Sequence, residues 1–289
     1  MTSPPDADPV AEILSFHGVS GPWAPLPATG VANRIYATDE VVLRIATDHP
    51  DAIADARTES VAAPVARAAG VKTPRLLAFD DSRLLIDRPY SLWERVHGET
   101  LGLLPTKLRL AQHTWEAVGE ELALLHLAVQ TCPDPNGWLD QQIPEDPVEH
   151  LRRWRLQGPA RQLVARVERR LHDLSTAPPE DVAVRFVHGD IHDMNVMCAK
   201  SGQLLALIDW GDAGWGDPAL DFVDVPLAVL DTVVTAYERR AGPILGLDAR
   251  LRILRDRFGR TLRRVCLGRD GSLPALDELL RFAKGWPQA

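Results

Sequence analysis

The feature that most restricts the fold of this chain is a polar loop between two short apolar segments. VAVRFVHGD leads into the loop, and QLLALIDW follows it. The loop carries Asp190 and Asn195, five residues apart, and the second segment ends near Asp209. Apolar runs of this length, bounded by turn residues, are typical of buried strands. A strand–loop–strand hairpin would hold the three polar side chains at one rim of the molecule.

The residues before the hinge predict a small antiparallel sheet with one helix. NRIYAT and VVLRIAT, joined by a polar turn, predict a β-hairpin. Residues 50–69 predict the helix, and Gly70 predicts its end. RLLAFD, RLLID and SLWERV predict three further short strands, separated by turn residues. Residues 9–17 predict an additional short helix at the start of the chain.

The remainder of the chain predicts helices. Apolar residues recur at helical spacing in five segments, and Gly158-Pro159 interrupts the second of them. The segments are residues 106–130, 147–173, 224–240, 248–267 and 274–284. A β-rich part followed by a helix-rich part is α+β rather than an alternating βαβ arrangement. We therefore expect two lobes, residues 1–94 and 95–289, that meet at a hinge near 93–98.

Composition argues against several other classes of protein. The 289 residues are 45% hydrophobic and 25% charged, as in ordinary globular proteins. Cys132, Cys198 and Cys266 lie far apart, which argues against a disulfide framework or a zinc site and favours a reducing, cytoplasmic compartment. The first residues, MTSPPDADPV, do not resemble a signal peptide, and no apolar run is long enough to cross a bilayer. We therefore expect no membrane partner.

The net charge of −8 is unevenly distributed along the chain. Residues 182–235 carry 8 acids against 2 bases, a balance that suits metal ions or a cationic substrate. Residues 236–289 carry 12 bases against 6 acids, which raises nucleic-acid binding as an alternative. The arginines of LRILRDRFGRTLRRVCL recur with leucines at helical spacing, so we interpret them as the solvated faces of a helix. We therefore expect no nucleic-acid partner.

Asp190, Asn195 and Asp209 are the residue types that phosphoryl transfer needs. A carboxylate can orient a hydroxyl nucleophile and accept its proton. Carboxylate and amide oxygens are ligands for Mg²⁺, the ion that accompanies a nucleoside triphosphate. Catalysis of phosphoryl transfer depends mainly on positioning and charge neutralisation, so little else is required. The sequence contains no G-x-x-x-x-G-K-[ST] motif, which excludes a P-loop.

Two motifs make a resemblance to a known family specific. HGDIHDMN resembles the catalytic loop of the aminoglycoside phosphotransferase and choline-kinase-like family, whose members are small-molecule relatives of the protein kinases. IDWGDAGWGDPALD resembles the next motif of that family. The resemblance implies a protein-kinase-like, two-lobed α+β fold, with a small antiparallel sheet and one helix in the first lobe and a larger helical second lobe. It implies Asp190 as the catalytic base and Asn195 and Asp209 as Mg²⁺ ligands. It also implies that Asp217 and Asp221 brace the loop through backbone hydrogen bonds.

The loop departs from the usual family pattern H-G-D-x-H-P-G-N. Asp193 and Met194 stand where Pro-Gly is usual, and Asp193 is either a contact to a basic acceptor or a surface residue. His188 and His192 lie four residues apart, a spacing at which two imidazoles can share a metal ion. No H-E-x-x-H pattern surrounds them, so we favour imidazoles that hydrogen-bond to the loop backbone.

A kinase-like first lobe implies a basic residue on the third strand and a helical Glu that orients it. VVLRIAT offers Arg44 and ARTESVAA offers Glu59, with Asp55 as a rival for the second role. Arg44 stands where the family commonly has Lys. A guanidinium can bind phosphate through two donors, but it is not a like-for-like replacement. The apolar neighbours Leu43 and Ile45 indicate that Arg44 lies on a packed strand.

The resemblance also implies contacts to the nucleotide from two loops. LPATGVANRIY would cover the phosphates, with Gly30 as its single glycine and Asn33 as the source of a side-chain amide. SLWERVHGETL resembles the hinge, where the Glu94 carbonyl and the Val96 amide would bind adenine. Trp93 would lie near the edge of the base, in the core, or in both places at once.

The implied activity is Mg²⁺-dependent transfer of the γ-phosphoryl group of ATP, with GTP as an alternative donor, to a hydroxyl of a small molecule. A cationic acceptor would suit the acidic balance, and an aminoglycoside-like antibiotic or an amino sugar would imply a role in antibiotic resistance. A choline-like amine or another metabolite alcohol is an alternative acceptor, and a nucleotide-binding pseudokinase that acts as a sensor is an alternative function. The candidate acceptor-binding acids are Asp193, Asp212, Asp231, Glu145, Asp146 and Glu149.

Overall fold

Five strands form the sheet that the first part of the sequence predicts. The computed structural model describes residues 9–26, 33–174, 182–246 and 248–286. The strands are β1 (Ala24–Pro25), β2 (Asn33–Ala37), β3 (Val41–Ala46), β4 (Leu76–Asp80) and β5 (Tyr90–Glu94). Their order is β1-β2-β3-β5-β4, and every neighbouring pair is antiparallel. The predicted hairpin is β2–β3.

Alternation along β3 sends its side chains to two different faces of the sheet. Leu43 and Ile45 are buried in a cluster with Ile13 and Leu14 of α1 (Pro9–Phe16). Successive side chains of a strand point to opposite faces. Arg44 therefore points away from α1, towards a helix on the other side of the sheet.

That helix is α2 (Pro50–Ala68), which ends one residue before the predicted position. It starts at a proline, whose missing amide hydrogen costs no helical bond in the first turn, and Gly70 follows it with φ 93°. Its buried residues are mostly alanines, several of which pack in the main core with Trp93. Small side chains let α2 lie close to the sheet, and Glu59 of α2 is within reach of β3.

The strand predicted over residues 83–87 is absent. These residues form a series of bends, because Arg83 has φ 62° and cannot continue an extended chain. Leu84 is 87% exposed and therefore contributes little to any core. The polar turn before residue 83 thus leads through an irregular connection from β4 to β5.

The rest of the chain is mainly helical, with two small three-stranded sheets in the described residues. The helices are α3 (Thr106–Arg109), α4 (Gln112–Ala128), α5 (Pro147–Arg155), α6 (Arg161–Asp173), α7 (Leu230–Ala241), α8 (Ala249–Cys266) and α9 (Ser272–Phe282). The strands are β6 (Glu99–Thr100), β7 (Asp140–Gln142), β8 (Arg185–Val187), β9 (Val196–Cys198), β10 (Leu204–Leu207) and β11 (Gly214–Gly216). The sheets have the orders β10-β9-β6 and β7-β11-β8. This arrangement confirms the α+β class.

Three predicted helices differ from those observed. The segment 106–130 is divided into α3 and α4, and the segment 147–173 is divided into α5 and α6 around the predicted Gly-Pro break. The helix predicted from residue 224 begins only at Leu230. Pro226 precedes it, and the residue before a proline is disfavoured in a helix, so the chain forms short 3₁₀ turns there instead.

The main core lies where α4 and α7 pack on each other and on the β9–β10 hairpin. Its large side chains include Trp115, Leu122, Phe186, Trp210 and Tyr237, all of which are at most 1% exposed. The core therefore fixes the position of the loop between β8 and β9, which carries the candidate functional residues.

No described helix is both long and apolar enough to span a bilayer.

We predict that Gly119→Ala destabilises the chain, although alanine is the better helix former. Gly119 lies in α4 against α7, where a Cβ would overlap the carbonyl oxygen of Val233 and lie 3.0 Å from the Cβ of Ala236. The overlap should outweigh the gain in helix propensity of about 1 kcal/mol. We expect the free energy of unfolding in urea to fall by about 1–3 kcal/mol. Gly285→Ala is the control, because a Cβ there meets nothing within 4 Å; equal unfolding energies for the two variants would contradict the prediction.

Candidate active site

One buried carboxylate holds the loop after β8 from behind. Asp221 is fully buried and accepts hydrogen bonds from the backbone N–H of His188 at 3.1 Å and of Gly189 at 2.7 Å, through different oxygens. Gly189 has φ 83°, and a Cβ there would overlap the carbonyl group of Asp212, so the turn requires glycine. Asp190 follows this turn with its side chain 28% exposed.

Two further buried side chains fix Asp221. His126 of α4 donates from Nε2 to Oδ2 of Asp221 at 2.9 Å, and the hydroxyl of Tyr237 on α7 lies 2.9 Å from Nδ1 of the same ring. Burial disfavours the ionised carboxyl, but the hydrogen bond and charge attraction of His126 lower the pKa of Asp221. A chain of buried polar contacts thus connects both core helices to the loop.

One oxygen of Asp190 is engaged by neighbours in its own loop. Oδ2 accepts from Nδ2 of Asn195 at 3.1 Å and lies 3.3 Å from Nε2 of His192. The N–H of Met194 donates to Nδ1 of His192 at 3.1 Å, so Nε2 is the nitrogen that carries the proton towards Asp190. Within the described part of the chain, Oδ1 of Asp190 receives no hydrogen bond. That oxygen remains available to an incoming group.

In the side-chain amide of Asn195, the nitrogen is hydrogen-bonded and the oxygen has no described partner. Nδ2 donates to the backbone oxygen of Asp190 at 2.9 Å as well as to its side chain. The residue is only 4% exposed, yet no described donor reaches its side-chain oxygen. This oxygen is not one of the described buried side-chain atoms that lack a partner, so it is reached by solvent and is open to a ligand.

Asp209 reaches the same rim from the second strand of the hairpin. Val196 pairs with Leu207, so Asn195 and Asp209 each lie just beyond a paired position, and Ile208 donates its N–H to the Asn195 carbonyl at 3.0 Å. The backbone of Asp209 has a left-handed helical conformation, with φ 68° and ψ 67°. This conformation costs a non-glycine residue about 1–2 kcal/mol, and such strain is concentrated at functional sites.

His188 connects the two sides of the rim. Its buried ring donates from Nε2 to the carbonyl of Ile208 at 3.1 Å and accepts from the N–H of Asp190 at 3.4 Å. The ring centroid lies 4.5 Å from that of Trp210. These are the contacts of an imidazole that is bound to the backbone, with neither nitrogen left for a metal ion.

The guanidinium of Arg44 joins the sheet, α2 and the hairpin. Nη1 donates to both carboxylate oxygens of Glu59, at 2.6 and 2.7 Å, and Nη2 donates to Oδ1 of Asp209 at 2.9 Å. Glu59 is thus the partner of Arg44, and Asp55 is not. Two of the guanidinium's five donors, Nε–H and one hydrogen of Nη2, have no acceptor among the described residues.

Burial and charge pairing act in opposite directions at this junction. Burial disfavours the ionised form of Asp209, but the adjacent guanidinium outweighs it and lowers the pKa of that carboxyl. Burial likewise opposes the charge on Arg44, and attraction to Glu59 and Asp209 nevertheless raises its pKa. Arg44 and Asp209 therefore remain oppositely charged at neutral pH.

Two oxygens at the rim fit Mg²⁺. They are Oδ1 of Asn195 and Oδ2 of Asp209, neither of which accepts a hydrogen bond from a described residue. Mg²⁺ is commonly held by one or two protein oxygens together with phosphate and water. The described residues contain no group of three or more His, Cys, Asp or Glu side chains that could hold a metal ion.

The segment after β5 has a free backbone donor at the predicted hinge. Glu94 donates its N–H to the carbonyl of Arg75 at 2.9 Å, whereas no described acceptor is bonded to the N–H of Val96. Trp93 is 5% exposed and donates from Nε1 to Oγ of Ser91 at 2.8 Å. Trp93 is thus a core aromatic residue. Gly30 lies outside the described residues, and Asn33 is the half-buried first residue of β2.

Basic side chains pair with most of the acids that are candidates for acceptor binding. The pairs are Asp193 with Arg109 (3.6 Å), Asp231 with Arg250 (3.7 Å), Glu145 with Arg263 (3.2 Å), Asp146 with Arg255 (4.0 Å) and Glu149 with Arg153. Among these six acids, only Asp212 has no described basic group within 4.0 Å. The candidates therefore do not form one unpaired acidic surface.

Asp212 belongs to a group of carboxylates around Asp209. Burial and the charges of Asp190 and Asp209 raise the pKa of Asp212. Asp55 of α2 packs against Gly211, and burial, together with Asp212 and Asp209, raises its pKa to about 6. These carboxylates give this side of the rim a negative charge, which favours the approach of a cation.

Asp217 does not brace the loop directly, contrary to the expectation from the resemblance. It accepts from the N–H of Ala219 at 2.9 Å and from Nε of Arg252 on α8 at 2.7 Å. These contacts cap the 3₁₀ turn Pro218–Phe222 and hold it against α8. Asp217 therefore fixes the segment that carries Asp221, and of these two acids only Asp221 bonds to the loop.

The sequence gives little warning of the residues that support Asp221. His126 lies 95 positions from Asp221, and Tyr237 lies 111 positions from His126. The one pattern that indicates such support is the lone histidine in the apolar helical run LLHLA. A buried imidazole needs a hydrogen-bond partner, so this histidine predicts a buried polar contact. Its spacing along the chain could not identify that partner.

Comparisons with known proteins agree with this geometry. The sequence profile of the phosphotransferase enzyme family matches residues 24–264. A choline/ethanolamine kinase family protein from Mesorhizobium loti has a TM-score of 0.61 at 18% identity, covering 98% of this chain and 96% of that chain. The GDP and kanamycin complex of APH(2")-IIia has a TM-score of 0.63 at 16% identity, with coverages of 96% and 99%. Spectinomycin phosphotransferase APH(9)-Ia, in complex with ADP and spectinomycin, has a TM-score of 0.64 at 14% identity, with coverages of 99% and 96%.

These structural likenesses show that the chain has the protein-kinase-like fold that its motifs predicted. A search of curated proteins found no significant match.

We predict that Asp55→Asn stabilises the chain at high pH only. The pKa of Asp55 is raised from 3.8 to about 6 in the folded chain. At a pH above these values, ionising this carboxyl therefore costs more free energy in the folded chain than in the unfolded chain. Removing the carboxylate should raise the free energy of unfolding by about 1 kcal/mol at pH 8, after allowance for solvent screening, and by almost nothing at pH 4. Urea unfolding in EDTA at both pH values measures this. Asp87→Asn, at a residue whose side chain is 94% exposed, is the control; a gain of the same size at both pH values would refute the assignment.

Proposed function

Because the chain belongs to the phosphotransferase enzyme family, we propose that it transfers the γ-phosphoryl group of ATP to a hydroxyl group of a small molecule in the presence of Mg²⁺. The observation that carries this proposal is the rim itself. The free oxygens of Asp190 and Asn195 lie on the β8–β9 loop and that of Asp209 lies just after β10, beside a guanidinium that keeps two unused donors. A cytoplasmic location, where ATP and Mg²⁺ are abundant, suits this activity.

Arg44 is proposed to bind the α- and β-phosphates through its two unused donors, while Glu59 holds the guanidinium in place. Adenine would accept from the N–H of Val96 and donate to the carbonyl of Glu94, beside Trp93. Gly30 and Asn33 are proposed to lie over the phosphates. Solved relatives hold ADP in one case and GDP in another, which supports a nucleotide at this position and leaves GTP as the alternative donor.

Asn195 and Asp209 would hold Mg²⁺ through Oδ1 and Oδ2 respectively. The bound ion would neutralise charge on the phosphate oxygens during transfer. Asp209 is suited to this role because Arg44 keeps it ionised and fixes its other oxygen. Asn195 is suited because its amide nitrogen is tied to Asp190, which leaves only the oxygen pointing elsewhere.

Asp190 is proposed to orient the acceptor hydroxyl with Oδ1, the oxygen that receives no hydrogen bond from the described chain. As the bond from the hydroxyl oxygen to the γ-phosphorus forms, the bond from that phosphorus to the β-phosphate oxygen breaks and ADP departs. The hydroxyl proton passes to Oδ1 late in the transfer. His192 and Asn195 hold Oδ2, so the carboxylate cannot rotate freely away from the acceptor.

We propose that the acceptor carries an amine close to the reacting hydroxyl. Among the described residues, Asp212 is the one candidate acid with no basic group within 4.0 Å, and it lies against the loop that carries Asp190. An ammonium group would neutralise it. The relatives solved with kanamycin and with spectinomycin support an aminoglycoside-like acceptor, with antibiotic resistance as the consequence, and a choline-like amine is the alternative.

A nucleotide-binding pseudokinase is the second candidate function. The departures that favour it are Arg44 in place of the usual Lys and the single glycine of the phosphate loop. Against it, all three residues that are needed for transfer are present at the rim. ADP release with an acceptor distinguishes the two functions, because a sensor would bind nucleotide without turnover.

We predict that a coupled ADP-release assay finds an acceptor among amine-bearing alcohols. The panel contains kanamycin, spectinomycin, glucosamine, choline and ethanolamine, each with ATP or GTP and Mg²⁺. For the best acceptor, Asp212→Asn should raise KM by about tenfold, because a hydrogen bond to a charged group contributes about 1–2 kcal/mol. Asp231→Asn is the matched control, since Arg250 already neutralises it. An acceptor without an amine, or equal KM values for the two variants, would contradict the proposed role of Asp212.

We predict that Asp190→Asn lowers kcat far more than nucleotide affinity. Asparagine keeps the shape and the contact with His192 but cannot accept the hydroxyl proton, so kcat should fall by about 10²–10⁴-fold. The Kd for ADP with Mg²⁺, measured by calorimetry, should change by less than about threefold. Equal losses in turnover and in nucleotide affinity would show that Asp190 is not the base.

A further inference from the structure

Three arginines share one face of α8. Arg257, Arg260 and Arg264 follow each other at intervals of three and four residues, which places them on adjacent turns of the same side. Arg257 donates to the carbonyl of Val225 at 2.6 Å, and Arg260 and Arg264 each bond to a different oxygen of Asp224. The face is therefore directed at the segment that follows Asp221.

Arg260 alone among the three also reaches the catalytic loop. Its two terminal nitrogens lie 3.3 and 3.4 Å from the carbonyl oxygen of Gly189, the residue before Asp190. Two carboxylates anchor the guanidinium: Asp224 bonds to Nη1, and Asp256 lies 3.4 Å from Nε. Its side chain is only 21% exposed. A charged donor that is anchored in this way holds a carbonyl more firmly than a neutral donor does.

The two peptide groups that flank the Cα of Gly189 are consequently each held by a side chain: His188–Gly189 by Asp221 and Gly189–Asp190 by Arg260. Asp221 accepts from the Gly189 N–H at 2.7 Å, while Arg260 donates to the Gly189 carbonyl oxygen. Gly189 has φ 83°, in a region where glycine has wide conformational freedom. Without the contact from Arg260, the Gly189–Asp190 peptide would keep only the 3.4 Å bond from the Asp190 N–H to Nδ1 of His188, and its rotation would move Asp190. The side chain of Asp190 would then lose its alignment with the rim.

We propose that Arg260 is a positioning residue for phosphoryl transfer, which acts by fixing the orientation of the Gly189–Asp190 peptide. This inference rests on the proposed function. It assigns Arg260 no contact with substrate and no part in proton transfer. Its effect is on the geometry of Asp190 and therefore on kcat, because an error of about 1 Å at a reacting group can cost about 100-fold in rate.

Arg264 provides a matched control on the same helix face. It binds the same carboxylate as Arg260, at 3.1 Å from Oδ1 of Asp224, but makes no contact with Gly189 in the structure. Arg264→Met therefore removes one charged partner of Asp224 and leaves the loop carbonyl bonded. Arg260→Met removes the contacts with Asp224, Asp256 and Gly189, so relative to Arg264→Met it also loses the ion pair with Asp256 and the contact with the loop.

The experiment compares wild type, Arg260→Met, Arg260→Lys and Arg264→Met with ATP, Mg²⁺ and the best acceptor of the panel. We expect Arg260→Met to lower kcat by about 10- to 100-fold, while the Kd for ADP with Mg²⁺ changes by less than about twofold. Arg264→Met should keep kcat within about threefold of wild type. Arg260→Lys should be intermediate, because one ammonium group cannot reproduce a fork that reaches Gly189 and Asp224 together. If Arg260→Met melts below the assay temperature, Arg260→Lys is compared with Arg264→Met instead.

Hydrogen exchange, followed by mass spectrometry on residues 186–195, gives a readout that needs no turnover. Faster exchange in Arg260→Met than in Arg264→Met is the expected result, and equal exchange with equal kcat would overturn the inference. Parallel losses of kcat and nucleotide affinity would also overturn it, because they indicate general damage to the fold. A wild type that transfers no phosphoryl group to any acceptor refutes the proposed function instead, and the exchange data still report whether Arg260 holds the loop.

Discussion

The functional rim depends on the forked contact of Arg44 with Glu59 and Asp209. One guanidinium ties a strand of the first sheet, the helix beside it and the end of the β9–β10 hairpin. The side chains of Arg44 and Glu59 are 16% and 6% exposed, so neither charge has water as a ready alternative partner. Removing one member of a buried ion pair typically costs about 3–5 kcal/mol, because the other charge is left unpaired. The buried Arg44–Glu59 pair therefore fixes the guanidinium, which binds Oδ1 of the half-exposed Asp209 and joins the two parts of the chain at the site.

A second set of contacts holds the opposite side of the rim. Asp221 bonds to the loop backbone, and His126 and Tyr237 anchor Asp221 to the two helices that pack most extensively in the core. Apolar packing of α4 on α7 thus determines where a single buried carboxylate lies, and that carboxylate determines where the loop turns. Arg44 and Asp221 act from different lobes, yet both act on the short segments on either side of the hairpin. The positions of Asp190 and Asp209 are consequently set by the whole fold rather than by the loop alone.

Local patterns predicted those parts of the molecule whose partners are close in the sequence. The β2–β3 hairpin and α2 were evident from alternation, a polar turn and a terminal glycine. The hairpin predicted between the two apolar runs that flank the loop was wrong, because β8 pairs with β11 and β10 pairs with β9. Contacts between distant residues were beyond such reasoning. The bond from Arg260 to Gly189 spans 71 positions, and the support of Asp221 by His126 spans 95. The role of Asp217 was assigned by resemblance alone. Its observed partner is Arg252, and no local pattern in the sequence predicts that contact. The acceptor acids illustrate the same limit, since composition showed an excess of acid but not the arginines that neutralise it.

The central claim is that Asn195 and Asp209 are the protein ligands of a divalent cation. Asp190 lies next to this site but is not a ligand of the cation. The most direct measurement is Mn²⁺ binding in the presence of ADP, followed by electron paramagnetic resonance, for wild type and three variants. Asn195→Ala and Asp209→Asn should each weaken Mn²⁺ binding by about tenfold or more, whereas Asp190→Asn should leave it within about threefold of wild type. Unchanged Mn²⁺ affinity in all three variants, or a loss in Asp190→Asn as large as in Asp209→Asn, would contradict this account of the rim.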